Sequence, residues 1–317
     1  MTLEQIKTAI NGYVLAAKSA GTWTPSTDNV AGLLDKIAKT ITIDGSFNDK
    51  LAVLDGEQLP LGKTIEEYFQ DLCDIANYNA AGDSALAPHN PTYKDPAYSY
   101  TLGKKVIPTT LRYNEYERAC NSPEELSSMT QMVLKRLHDT NSVFRYGAKK
   151  QMLANLIAKA EAASNNATLI KQVAPVTDAE SGEAFIKEIK EDIEKASFVN
   201  EGNALEPTAT IGASEGLLLI VKKGIKPVLD TAVMAGAFNP EKLGVDAQII
   251  VVDDFGNADD KYDAILVDKR ALRLHPTYQA VREQPNGEGD FVNFYLHTEN
   301  TAFISKFCFV RVYKHAA

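Results

Sequence analysis

The sequence lacks the features that extracellular and membrane-spanning proteins need. It has three cysteines, Cys73, Cys120 and Cys308, which are widely spaced and form no metal-ligand pair. They predict reduced thiols in a cytoplasmic protein. The N-terminus has no basic segment followed by an apolar core, so we expect no secretory signal. No apolar run approaches the length of a membrane span, so we expect no membrane contact.

A basic surplus is missing as well. The formal net charge is -9 and the pI is about 5.2, which argues against a protein whose main task is to neutralise nucleic-acid phosphates. Loose enclosure of nucleic acid remains compatible with this charge. The 317 residues suffice for two or more domains, and 44% hydrophobic with 24% charged residues is ordinary for a globular protein.

Recognisable catalytic chemistry is absent too. The five histidines, His89, His138, His275, His297 and His315, are scattered and none has metal-ligand spacing. We find no nucleophile elbow, no Rossmann glycine fingerprint and no HExxH motif. We therefore expect no catalytic, cofactor-binding or metal residues and no enzyme, and we expect His138 and His297 at the surface.

The stretch from Lys50 to Thr64 imitates a phosphate-binding loop, with an apolar run before Gly-Lys-Thr. The motif needs four residues between its glycines, whereas five separate Gly56 from Gly62 here. One of the five is Pro60, which has no N–H to offer a phosphate. We interpret Lys63 as a solvated or intersubunit charge.

The acidic turn from Asp253 to Asp260 partly resembles a calcium-binding loop, but its residue spacing does not match that motif. Its glycine comes too early, and Phe255 occupies a ligand position. We expect a surface turn.

A long helix is the strongest positive signal. Ser122-Pro123-Glu124-Glu125 is a helix start, with a hydroxyl at the N-cap, proline at the first helical position and glutamate at N3. Apolar residues then recur at three- and four-residue steps to about Ala163. A continuous helix would be roughly 60 Å long, which favours a strut on a sheet over a coiled coil or a bundle helix. The alternative is two helices broken near Asn141 to Gly147.

The regions before this helix predict an N-terminal arm and an extended loop, which we call the excursion. Residues 2–18 and 27–38 have the periodicity of two short amphipathic helices, and Thr64 to Glu67 offers a capping box for a third that extends to Ile75. Residues 77–108 are rich in proline and tyrosine and poor in aliphatic side chains. They predict an extended two-stranded excursion or a loop that binds a partner protein; a solvated, partly disordered loop is the alternative.

The regions after the helix alternate between strand and helix. We predict strands at 168–176, 217–221, 247–252 and 264–267, with helices from the capping box Thr177 to Glu180 and over 226–238. This pattern indicates an α/β domain. Phe291 to His297 and Phe303 to Tyr313 alternate in polarity as strands of an antiparallel sheet, with a loop at Pro285 to Gly287.

The order of these parts resembles the Hong Kong 97-type capsid fold of tailed phages. The stretch Pro60 to Glu67, with the aromatics and Asp71 that follow it, is similar to the segment before the extended loop in the major head proteins of phi 29-like short-tailed phages. Ala264 to Lys269 and the aromatic C-terminal strands are similar to the closing segment of that family.

The resemblance implies an α+β chain with four parts: an N-terminal arm (1–58), an extended loop region (59–110), a peripheral domain with the spine helix and an antiparallel sheet (111–167 and 271–317), and an axial α/β domain (168–270).

The function implied is a structural one, a major capsid protein that self-assembles into hexamers and pentamers of an icosahedral head around double-stranded DNA. A scaffolding protein and a portal are the expected further partners. The expected location is the virion, after assembly in the bacterial cytoplasm. The candidate assembly contacts are Lys63, Glu66, Glu67, Tyr93, Tyr98 and Tyr100.

Two alternatives stay open: an encapsulin-like compartment shell, and a soluble α/β enzyme with a tyrosine-rich binding loop. Head proteins of this family commonly carry an extra immunoglobulin-like domain after the shared fold, whereas this sequence stops at Ala317, so the resemblance does not imply a decoration role of that kind. Lys94, Lys104 and Lys105 are available for cross-linking, but no motif selects one of them, and we predict none.

Overall fold

A helix of 40 residues, α1 (Pro123–Ala162), runs through the middle of the chain. The predicted long helix is confirmed, and the two-helix alternative is wrong because residues 141–147 are helical without a break. A Cβ added at Gly147 would meet no atom within 4 Å, so this glycine lies in open space. The computed structural model describes residues 47–69, 72–73, 75, 97–112, 123–206, 208–210, 216–235, 247–256 and 261–315. The predicted N-cap Ser122, both arm helices and most of the excursion lie outside these residues.

Three long strands and one further long helix, Ala179–Ala196, accompany several shorter elements. Before α1 come a 3-10 turn (Ala52–Leu54) and the strands β1 (Glu66–Glu67), β2 (Ala97–Tyr98) and β3 (Tyr100–Arg112). After α1 come α2 (Asn166–Leu169), β4 (Ile170–Val173), α3 (Ala179–Ala196), β5 (Asn200–Glu201), β6 (Ala209–Thr210), β7 (Leu217–Lys222) and α4 (Ile225–Ala235). The chain then forms β8 (Gln248–Val252), β9 (Tyr262–Asp268), β10 (Leu272–Asn286), β11 (Phe291–Ile304) and β12 (Val310–His315).

The contacts divide the chain into two units. Among the described residues, the smaller unit contains parts of Ile107–Thr140 and Val281–Leu296, and the larger contains most of Asn48–Val106, Asn141–Ala280 and His297–Ala317. The predicted division into arm, loop region, peripheral domain and axial domain stays a prediction.

A five-stranded sheet organises the larger unit, in the order β4-β12-β9-β7-β8. β7 pairs in parallel with β8, β12 pairs in parallel with β4, and β9 is antiparallel to both β7 and β12. The predicted strands at 217–221, 247–252 and 264–267 are confirmed as β7, β8 and β9. Their continuous apolar runs reflect burial of both sheet faces.

Each face of this sheet carries its own core. Leu218 and Ile220 of β7 pack toward the C-terminal half of α1, in a cluster with Met152, Leu153 and Leu156. The alternate residues of β7 pack on the other face, toward α3 and α4, as Leu217, Leu219 and Val221. The two-residue period of a strand thus assigns neighbouring side chains to different cores.

The smaller unit contains the N-terminal part of α1 and parts of a three-stranded sheet, ordered β10-β11-β3. Val292, Phe294 and Leu296 of β11 form its core with Leu111 and Leu137. The outer strands contain prolines, among them Pro108 and Pro285. Proline is tolerated at a sheet edge because the missing N–H has no ladder partner there.

Several expectations about local structure are wrong. The predicted helix from Thr64 to Ile75 does not form, because residues 66–67 pair as β1 with β2. The predicted strand 168–176 begins later, since Asn166–Leu169 is helical. The helix predicted after Thr177 is N-capped by Asp178, whose side chain accepts from the amide of Ser181 at 2.9 Å. His297 lies inside β11 and is only partly exposed, not at a strand end.

The predicted single strand from Phe303 to Tyr313 is interrupted. β11 ends at Ile304, and the Ser305 Oγ then accepts hydrogen bonds from the amides of Phe307 at 3.1 Å and Cys308 at 3.2 Å. The chain resumes as β12, which lies between β4 and β9 in the five-stranded sheet. A serine at a strand position therefore acts as a turn residue.

Within the described ranges, no helix is both long enough and apolar enough to cross a membrane.

The packing of α1 on the sheet gives a first prediction. Leu156 is fully buried in the core beneath the sheet, so Leu156→Ala should lower the free energy of unfolding by about 2–5 kcal/mol through lost burial and a cavity. Val143 lies on the same helix with half of its surface exposed, and Val143→Ala should change the stability by less than about 0.5 kcal/mol. Urea unfolding followed by circular dichroism measures both. Equal effects of the two substitutions would contradict this packing.

Candidate assembly surface

A short strand pair joins residues 66–67, before the predicted excursion at 77–108, to residues 97–98 within it. In β1 and β2, Glu66 is opposite Tyr98 and Glu67 is opposite Ala97. The Ser99 amide donates to the Ile65 carbonyl at 2.9 Å, and the Ile65 amide donates to the Ser99 Oγ at 2.8 Å. We call residues 65–69 and 97–99 the loop base.

Aromatic packing attaches the loop base to the turn at residues 303–308, which we call the aromatic turn. The rings of Phe69 and Phe307 stack with centroids 5.2 Å apart and planes 24° apart. Phe303 and Ile65 complete this small cluster. Offset stacking of this kind adds to the stabilisation from burial alone.

A carboxylate contact lies beside this cluster. The Ser305 hydroxyl donates to Glu67 Oε1 at 2.8 Å. Burial raises the pKa of the Glu67 carboxyl above its ordinary value, although the hydrogen bond from Ser305 counteracts part of that rise.

The loop base brings together three of the six candidate contact residues. Glu66, Glu67 and Tyr98 are adjacent in the strand pair, and Tyr100 follows at the start of β3, where its hydroxyl accepts from Asn155 Nδ2 at 3.4 Å. Lys63 is exposed in the turn that Pro60 begins, and Tyr93 lies outside the described residues. Glu66 is exposed and accepts a hydrogen bond from Tyr68 at 2.7 Å. Their role in assembly stays a prediction.

Two large side chains in and just before the loop base are exposed. Leu61 is 65% exposed and Tyr68 is 69% exposed. Tyrosine is enriched in protein-protein interfaces.

An ion-pair cluster attaches the segment upstream of the loop base to α1. Lys149 is completely buried, and its Nζ lies 2.5 Å from Asp49 Oδ2 and 2.6 Å from Asp55 Oδ1. Arg145 donates to the same Asp55 oxygen at 2.8 Å. The sequence analysis missed this cluster because Lys149 lies off the main apolar stripe of the helix. Periodicity alone gives no sign of a buried lysine.

The acidic turn after β8 binds α1 through Lys150, whose Nζ lies 2.9 Å from Asp253 Oδ2 and 3.0 Å from Asp254 Oδ2. The Tyr146 hydroxyl also donates to Asp253, at 2.7 Å. Although burial alone would raise it, these hydrogen bonds hold the pKa of Asp253 well below its usual range. The pKa of Tyr146 is raised, first by burial and then by this carboxylate. The acidic residues therefore have a structural role on the helix.

A buried acid on α3 is a second site that sequence reasoning missed. Asp192 is 1% exposed and accepts from the Tyr313 hydroxyl at 3.0 Å, with Lys171 at 3.4 Å. Burial and then the Asp192 charge raise the pKa of Tyr313 well above its ordinary value. Asp192 lies three residues after the inward-facing Ile189, and this spacing is a signal that could have placed it on the buried face.

Metal chemistry has no support in the described part of the chain, where no three His, Cys, Asp or Glu side chains lie together as a metal site requires.

Comparison with known proteins identifies the family. The sequence model of the Phi29-like phage major capsid protein family matches residues 23–313. The chain belongs to this family.

Curated relatives agree with this membership. The major capsid protein of Bacillus phage PZA is 23% identical over 290 residues, which cover 89% of this chain and 62% of the relative. That of Bacillus phage B103 is 23% identical over 283 residues, which cover 88% of this chain and 61% of the relative. The chain thus spans about three fifths of the length of the curated relatives that it matches.

Solved structures show the fold of this family member. A chain in the capsid structure of Staphylococcus phage Andhra has a TM-score of 0.65 at 15% identity, covering 87% of this chain and 86% of that chain. A chain of the bacteriophage PhiM1 mature capsid has a TM-score of 0.54 at 10% identity, covering 87% of this chain and 90% of that chain. The fold is the α+β Hong Kong 97-type capsid fold, as the resemblance implied.

The buried lysine provides the prediction for this region. Lys149→Met should lower the free energy of unfolding by about 3 kcal/mol, because it leaves Asp49 without its ion-pair partner and Asp55 with only Arg145. Lys187 on α3 is exposed, and Lys187→Met is the matched control, with an expected change below about 0.5 kcal/mol. Chemical denaturation measures both variants. A Lys149→Met protein as stable as the control would show that the cluster contributes no net stability.

Proposed function

We propose that this chain is the major building block of an icosahedral phage head, in which its copies form hexamers and pentamers around double-stranded DNA. The observation that supports this most strongly is the family match over residues 23–313. The likeness of the fold to capsid chains of other phages adds to it.

The proposed mechanism is geometric. α1 and the long antiparallel strands form the peripheral wall, the α/β domain at 168–270 clusters around the axis of each capsomer, and the loop region at 59–110 lies over a neighbouring subunit. Each contact is weak by itself, but every subunit repeats it around the shell, so the assembly as a whole is stable.

We propose the loop base and its approaches as contacts between subunits. The residues assigned to this role are Lys63, Glu66, Glu67, Tyr93, Tyr98 and Tyr100. The exposure of Lys63 and Glu66, and the exposed apolar side chains nearby, support this assignment.

The proposed further partners are a scaffolding protein, a portal and packaged DNA held without sequence specificity, with assembly in the host cytoplasm. A net charge of -9 fits a wall that encloses DNA without gripping it, because strong binding would hinder the release of the genome. No catalytic step or cofactor belongs to this function.

Electron microscopy of the purified protein tests the proposal. We expect closed shells or flat hexameric sheets, and a strictly monomeric protein under all assembly conditions would overturn it. Shells that enclose a protein cargo and no DNA in the native host would favour a compartment shell instead.

The same assay tests the loop contacts. Lys63→Glu should lower the yield of particles by about tenfold while the subunit melts as before, since it reverses a charge at a proposed interface. Lys187→Glu, at an exposed position on α3, makes the same charge change as a control. A Lys63→Glu yield equal to that of wild type would remove Lys63 from the contact.

The glycine in α1 gives a further prediction about particle size. Glycine weakens a helix interior by about 1 kcal/mol relative to alanine, and a Cβ at Gly147 meets no neighbour, so Gly147→Ala should stiffen α1 without a clash. If α1 bends here to set the curvature of the shell, the substitution changes the diameter or the yield of particles and leaves subunit solubility unchanged. Particles of wild-type diameter and yield would show that Gly147 is merely tolerated.

A further inference from the structure

The contact between the loop base and the aromatic turn contains a carboxylate that is only half paired. Glu67 Oε1 accepts the hydrogen bond from Ser305, at 2.8 Å. Its other oxygen, Oε2, is buried and has no hydrogen-bond partner among the described residues. An ionised carboxylate in this position loses hydration at Oε2 without a replacement.

Ser305 cannot supply the missing bond. Its Oγ already accepts from the amides of Phe307 and Cys308, and its only proton goes to Glu67 Oε1. The hydroxyl has one donor, which is fully used.

The neighbouring charged groups offset only part of the cost of burying the ionised Glu67 carboxylate. Arg270 favours the ionised form of Glu67, but its guanidinium is also bonded to Asp268, at 2.8 and 3.1 Å. The backbone amide of Lys306 acts in the same direction, while burial outweighs these influences and leaves the pKa of Glu67 raised. The nearby Cys308 thiol stays neutral, since burial raises its pKa to about 11.

We propose that Glu67 is a proton-sensitive contact: the loop base binds the aromatic turn more tightly when the carboxyl is protonated at Oε2 than when it is ionised. The proton comes from solvent, and the neutral carboxyl keeps Oε1 as the acceptor for Ser305. Protonation removes the desolvation cost of the charge, which outweighs the loss of attraction to Arg270 and to the Lys306 amide. The inference concerns the single chain and stands apart from shell assembly.

The direction of the pH dependence follows from the docked state. Docking raises the pKa of Glu67 above its ordinary value of 4.5, so the docked form binds the proton more tightly than the undocked form. The added stability of docking is complete below about that ordinary value and is lost as the pH rises through the raised pKa. Above the raised pKa the loop base is therefore held by the stack of Phe69 on Phe307 and by the strand pair, against an unfavourable charge.

Hydrogen exchange at two backbone amides tests this inference. The amides of Ile65 and Ser99 bond across the loop base, and both should be more protected at pH 5 than at pH 8 after correction for intrinsic exchange. We expect a rise of about fivefold, near the lower limit for an unsatisfied buried acceptor, because Glu67 is only partly buried. Glu67→Gln removes the charge, so its protection at pH 8 should exceed that of the wild type at pH 8 and should no longer change with pH.

Glu66 provides the matched control. It is the preceding residue of the same strand, its side chain is exposed, and Glu66→Gln should keep the wild-type pH dependence. Wild-type protection that is constant between pH 5 and pH 8, or that falls on acidification, would overturn the inference, and so would a pH dependence that persists in Glu67→Gln. The wild-type profile is decisive even if a variant is unstable. The measurement uses unassembled chains, so it stays informative whether or not the protein forms shells.

Discussion

The packing of α1 on one face of the five-stranded sheet is the constraint on which the larger unit depends. Met152, Leu153 and Leu156 of the helix share a core with Leu218 and Ile220 of β7. The opposite face of β7 faces α3 and α4, so the central strand is covered on both sides. Burial of apolar surface on this scale is the main source of stability for such a layered arrangement.

Polar contacts then attach segments that have little apolar surface of their own. Lys149 binds the segment at 49–55, Lys150 binds the acidic turn after β8, and Ser305 binds Glu67 of the loop base. Each contact removes charged or polar groups from water, so its net contribution depends on how completely they are paired. Lys149 has two carboxylate partners, whereas Oε2 of Glu67 has no hydrogen-bond partner among the described residues.

This arrangement fits a protein whose function depends on packing. Two carboxylates in the polar networks have partners within the chain: Asp253 pairs with Lys150 and Tyr146, and Asp192 pairs with Tyr313 and Lys171. Strongly shifted titration commonly marks active sites, but structural networks also produce it. In this chain, the networks of Asp253 and Asp192 position strands and loops.

The sequence alone determined the elements whose signals are local. A proline and two glutamates at its start, together with an uninterrupted apolar period, specified α1, and continuous apolar runs specified β7, β8 and β9.

The tertiary structure decided what local signals leave open. Thr64 to Glu67 has the sequence of a helix cap, but pairing with Ala97–Tyr98 makes it a strand, and Ser305 ends a strand that its neighbours would continue. Lys149 has the sequence of a surface lysine and is buried, because its carboxylate partners are about a hundred residues away along the chain. The physical reason is that periodicity records which face of an element is apolar, while pairing partners are set by segments distant in sequence.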